Sequence, residues 1–378
     1  MTSHKARTLG ISLSIRLFLG TLLLTGVAAA AVWLGLTRSP AALRPLLFAM
    51  ACYAGAIGGG LALLGALAAR AAAPPIFRLP AVGWLMALWA VSIVGVIWQE
   101  GNPVALLFAA ALPPLAAVSV VSRRRGPVTT WQRTLLVLGV GSFIATPLAA
   151  ALEALPFVAL LWLRPNFRSE LPFAGDPAAL ARFLFGPLGP LLAIEVVLLG
   201  PLVEEALKPL MVYVLGRRLR SASEAFLLGM IGGAAFAIVE NLAYLGLTLD
   251  ERAPWAVSAL LRLVSGALHP VASGFVAAGY YAWRREGRGD LLLRNFAVAL
   301  ALHATWNAIA GGLLLFAVRL SELAQPPALE ALLLLALLLG LMALGLLLWL
   351  GLENLGRFAT RQARPGPPNQ EEAPPAGG

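Results

Sequence analysis

From residue 11 onward, long unbroken apolar runs alternate with short breaks rich in proline, glycine and arginine. Each run is long enough for the roughly 20 residues a helix needs to cross a bilayer. The apolarity is continuous rather than alternating, which argues against a transmembrane β-barrel. The pattern predicts ten helices, at 11–36, 42–69, 79–98, 103–122, 134–163, 187–215, 225–249, 254–282, 291–318 and 327–352. The expected fold is all-α: a polytopic transmembrane helical bundle of about ten spans.

Composition agrees with this reading. Of 378 residues, 60% are hydrophobic and 12% charged, against about 25% charged in ordinary soluble domains. Mean hydropathy is +0.84. The net charge of +10 forms no single patch and so points to no nucleic acid; the basic residues fall in clusters between apolar runs. With the N-terminus in the cytoplasm, inward loops hold 18 of the 28 Lys and Arg and outward loops seven, while Arg16, Lys208 and Arg262 fall within spans. The positive-inside rule then places both termini in the cytoplasm. "HKAR" precedes an apolar run that is read as an uncleaved first helix, given the many spans after it. Cys52 is the only cysteine, so no intramolecular disulfide is possible.

The chain divides accordingly. Residues 1–163 are membrane helices without a recognised motif, and 164–186 form the longest outward loop, a place to meet an extracytoplasmic partner. Residues 187–318 form a core with polar residues at depth, 319–364 a last helix, and 365–378 a tail too poor in apolar groups to fold. "GAIGG" at 55–59 has the small-xxx-small spacing of helix packing. No internal repeat is evident, which disfavours the common transporter architectures.

Four consecutive spans carry unusual polar groups: Glu204, Glu205 and Lys208; then Glu240 and Asn241; then His269; then His303 and Asn307. Glu204, Glu240, His269 and His303 lie within about one helical turn of the middle of their spans. A charge at that depth costs a few kcal/mol, which favours one shared polar site. Simpler readings account for part of the set. Glu204 and Lys208, spaced i, i+4, could neutralise each other, and His269 could be an interhelical hydrogen-bond donor. Glu153 and Glu195 are assigned structural or boundary roles. Pro201, Pro209 and Pro270 beside the polar positions free backbone carbonyls, which is tolerable at depth where protein or water lines a cavity.

Several membrane chemistries lack their residues. There is no H-E-x-x-H and no G-x-S-x-G. "GRGD" at 287–290 lies in an arginine-rich loop, and Asp176, Asp250 and Asp290 all fall in predicted loops, so an aspartyl dyad has no material. Glutamate with histidine remains.

At these residues the chain resembles the PrsW family of bacterial intramembrane peptidases, related to the CAAX-processing and bacteriocin-processing membrane proteases. The resemblance rests on Glu204-Glu205 with Lys208, Phe236 with Glu240, His269, and His303 with Asn307, over about residues 187–312. Glu240 stands where the CAAX-type enzymes have histidine, so their mechanism does not transfer unchanged.

The resemblance implies peptide-bond hydrolysis in a bacterial cytoplasmic membrane, with a membrane-tethered protein as substrate in regulated proteolysis of the anti-sigma-factor type. The residues suit that chemistry. A carboxylate in a low-dielectric pocket, Glu204 or Glu205, serves as base, with Lys208 moderating the pair. His303 and Asn307 donate to the oxyanion, and Glu240 or His269 holds the water or protonates the amine. The alternative is Zn²⁺ on Glu204, Glu240, His269 and His303. Scattered histidines and the positive charge of Lys208 favour the metal-free form, with Zn²⁺ the alternative cofactor. An ion-coupled transporter using the same belt of ionisable groups and a catalytically silent membrane partner are the competing functions.

Overall fold

The computed structural model describes residues 81–98, 103–125, 129–163, 183–247, 252–322 and 327–362. The predicted spans 11–36 and 42–69, Cys52, the tail and most of the 164–186 loop lie outside the described residues.

Among the described residues the chain is helical without strands. The helices are α1 (Val82–Trp98), α2 (Pro103–Arg125), α3 (131–163), α4 (189–207), α5 (Leu210–Leu215), α6 (Ala222–Leu247), α7 (Arg252–Ser265), α8 (Leu268–Glu286), α9 (Gly289–Glu322) and α10 (Pro327–Gln362). Five segments are long and apolar enough to cross a membrane: Ala105–Ser122, Gln132–Leu160, Ala222–Gly246, Trp255–Glu286 and Ala331–Leu352. The expected count of about ten is therefore not reached among the described residues. The helices α4 and α9 are not among the five, and they carry Glu204, Glu205 and Lys208, and His303 and Asn307.

Two predicted spans are interrupted. The 187–215 segment stops at Lys208, turns through Pro209 (φ −86°, ψ 21°) and resumes as α5; a proline brings no N–H and disrupts the preceding turn. The 254–282 segment breaks at Gly266–Ala267, between α7 and α8. A Cβ on Gly266 would lie 2.6 Å from Cβ of Pro113, so the break is also a close approach to α2.

Two π-turns widen otherwise regular helices, Gly141–Ala145 in α3 and Glu195–Leu199 in α4. Each ends two residues before a proline, Pro147 or Pro201, which cannot supply the next i→i−4 donor. In α3 the Thr146 hydroxyl donates to Gly141 O at 2.9 Å.

The long α6 is the centre of the bundle. It packs on α8, α2 and α3, and α8 packs in turn on α9. Phe226, Met230, Ile231, Val271 and Phe275 fill the seam and are essentially inaccessible. In lipid, close packing rather than water exclusion holds helices together, so small residues let the backbones approach. Gly233 shows the need: a Cβ there would stand 2.3 Å from His269 O. At Gly232 it would stand 2.5 Å from Lys208 O. The outer α10 by contrast turns Leu335, Leu339, Leu347 and Leu350 outward.

Candidate active site

The last turn of α4 carries Glu204, Glu205 and Lys208, and the break at Pro209 ends that helix against α6 and α8. Lys208 is 1% exposed. Its Nζ lies 2.8 Å from Glu204 Oε2, 2.6 Å from Glu205 Oε1, 2.8 Å from His269 Nδ1 and 3.5 Å from His303 Nδ1. The Phe236 ring closes one side, 4.7 Å from the ammonium. One cation thus sits among two carboxylates and two imidazoles drawn from α4, α8 and α9.

The ammonium contact sets the tautomer of His269. An ammonium only donates, so His269 Nδ1 accepts from Lys208. His269 Nε2 then carries the proton and faces Glu240 Oε2 at 3.1 Å. Glu240 Oε1 accepts from Arg262 Nη1 at 3.0 Å, and the Arg262 guanidinium stacks on Tyr244 at 3.7 Å. On the other side, His303 Nδ1 donates to Glu205 Oε1 at 2.9 Å, and its Nε2 lies 3.8 Å from Glu204 Oε2. The Ser273 hydroxyl donates to Glu205 Oε2 at 3.5 Å.

The two glutamates differ in access. The Glu204 side chain is 12% exposed and lines a cavity of about 520 Å³, whereas the Glu205 side chain is wholly buried behind it. Glu240, His269 and Asn307 line the same cavity. The Asn307 amide donates to Val196 O, at 2.8 Å, in the π-turn of α4. Asn241 stands apart: its amide donates to Ala110 O on α2 and tethers two helices.

Three cavity residues had been set aside or left without a role in the sequence. Glu153, Glu195 and Arg262 all line it, and Glu153 Oε1 has no hydrogen-bond partner among the described residues. The depth criterion applied to the histidines misses Glu153, which lies about five residues, more than one turn, from the middle of its predicted span. Ser273 has no signal either, since a serine in an apolar helix is unremarkable.

The donors suit a metal by type. Glu204, Glu205, His269 and His303 each offer a ligand atom within 4.8 Å of the others, and carboxylate with imidazole is a zinc-like set. Glu205 belongs to this group, whereas Glu240, expected from the sequence to be a ligand, is engaged by Arg262 and His269. The centre of the group, however, is held by the Lys208 ammonium. As arranged, the donors do not fit a metal unless Lys208 withdraws.

A cavity inside an apolar helical bundle, lined by Glu153, Glu195, Glu204, Glu240, Arg262 and His269, is the setting a membrane-embedded hydrolase requires. The family model described as PrsW family intramembrane metalloprotease matches residues 129–337, and the chain belongs to that family. The match reaches back over α3 and so takes in Glu153. No curated protein and no solved structure matches the chain.

Proposed function

We propose that this protein cuts a peptide bond of a membrane-tethered protein within the bacterial cytoplasmic membrane, in regulated proteolysis of the anti-sigma-factor type, with both termini cytoplasmic. The observation that carries the reading is the position of Glu204. Among the described residues it is the one glutamate that both meets the Lys208 ammonium and faces the cavity.

Glu204 takes a proton from a cavity water as that water attacks the substrate carbonyl, and its new carboxylic proton passes to the leaving amine. Lys208 holds positive charge 2.8 Å from Glu204 Oε2 throughout, which steadies the negative charge gathering in the transition state. Glu205 and His303 keep Lys208 in place. Asn307 has one amide N–H on Val196 O, and the second can meet the oxyanion. Glu240, anchored by Arg262, orients His269. Zinc on the Glu204, Glu205, His269 and His303 donors would supply Lewis-acid polarisation at the same place; the Lys208 ammonium favours the metal-free course.

The test is comparative membrane proteomics of cells with the wild-type protein and with Glu204→Gln. A membrane protein should be shortened only in the wild type. If no fragment depends on Glu204 and vesicles show a substrate-dependent proton flux, the protein is a transporter. If function survives Glu204→Gln, it is a silent partner.

A further inference from the structure

Beside the polar cavity lies a second pocket of about 270 Å³, between the later turns of α3 and the first half of α4. Its walls are apolar, with Leu160 and Pro156 on one side and Leu188 and Leu192 on the other, and Phe183 packed into its base. Phe157, Leu192 and Glu195 line both chambers, so the pocket adjoins the cavity that Glu204 faces.

We infer that this pocket receives a large aliphatic or aromatic side chain of the substrate, on a residue flanking the cut bond. The inference rests on the peptidase reading and adds to it the substrate class. An extended peptide sends successive side chains to opposite sides. A chain whose carbonyl meets Glu204 therefore has a neighbouring side chain to place outside the polar cavity, and the adjoining chamber is where it fits. An acidic side chain there would be left without a donor in an apolar wall and would face the Glu195 carboxylate. A small one would leave most of the volume unfilled and lose the contacts that bind it. The Glu195 carboxylate at the junction offers acceptors to main-chain N–H groups of the passing peptide. The competing occupant, in a membrane, is a lipid acyl chain.

Filling the pocket separates these. Leu160→Trp occupies it from the α3 wall, and Ala159→Phe does so from a more exposed position that disturbs folding less. New protein N-termini in membranes are profiled from cells expressing wild type, each filling variant, or Glu204→Gln. The termini that vanish in Glu204→Gln should carry Leu, Ile, Phe or Trp within two residues of the cut. Both filling variants should reduce those cuts at least about 10-fold while sparing cuts beside Ala, Gly or Ser, the discrimination an apolar pocket gives. An unchanged profile means that the pocket holds lipid and overturns the inference. So does an equal loss of all cuts in folded protein. If Glu204→Gln removes no termini, the peptidase reading itself fails, and this inference with it.

Discussion

Among the described residues, the Glu224 and Lys208 ionic clusters look alike in charge and differ in almost everything else. At the start of α6, Glu224 is fully buried and bonds Arg133 Nη1 at 2.6 Å, while its other oxygen accepts from the Arg220 backbone N–H at 2.7 Å. Arg133 Nη2 caps Arg218 O at 3.0 Å, and Ser221 Oγ accepts from Glu224 N at 3.1 Å. One carboxylate meets one guanidinium, each carboxylate oxygen has a donor, and the cluster joins α3 to α6. In the Lys208 cluster, two carboxylates and two imidazoles share a single ammonium, and one of those carboxylates faces a cavity. Burial of charge alone does not mark a site. A surplus of acceptors around one cation, open on one side, does.

The comparison is sharpest in cleavage per folded molecule. Glu204→Gln keeps the size of the side chain and removes the base, so cutting should fall about 10³-fold or more, with resistance to unfolding in mixed micelles retained. A Gln variant that still cuts would leave nothing to separate the two clusters. Gly233→Ala comes next. Its Cβ cannot coexist with His269 O at 2.3 Å, so α6 and α8 must part and move His269. Misplacement of about 1 Å costs on the order of 10²-fold in rate; a variant with wild-type turnover would show that His269 need not be held so closely. The smallest effect on turnover is expected at Glu224. Glu224→Ala leaves Arg133 with an unpaired charge and should cost about 3–5 kcal/mol of stability, yet the molecules that remain folded should cut at the wild-type rate. Turnover per folded molecule that drops as steeply as with Glu204→Gln would show that both clusters serve the chemistry.

Much of the site was legible because the membrane makes polarity conspicuous. Glu204, Glu205, Lys208, His269 and His303 stood out as ionisable groups at one depth on three spans, and the structure brings them within contact distance. Glu240 was found by the same sign, but its engagement by Arg262 was not, since 22 residues and a loop separate them. The break at Lys208 was half visible: Pro209 announced a disturbance, but not that the helix would end there and resume as α5. Glu153 and Glu195 were read as structural because no partner is near them in sequence, and the cavity that joins them exists only once α3, α4 and α9 assemble. The Glu224–Arg133 pair gave no warning either, because its members are 91 residues apart and sit where α6 begins.

The central claim is that Lys208 is the resident cation of a peptidase that works through its own glutamate. The direct measurement takes the purified protein in lipid nanodiscs, strips it with a strong chelator and quantifies residual metal. It is then incubated with membranes from Glu204→Gln cells, which hold the uncut substrate. The account predicts that the full-length substrate is shortened at the bond cut in wild-type cells, with metal well below one ion per molecule. Cutting that vanishes on stripping and returns with stoichiometric Zn²⁺ would contradict it, and would make Glu204, Glu205, His269 and His303 ligands from which Lys208 withdraws.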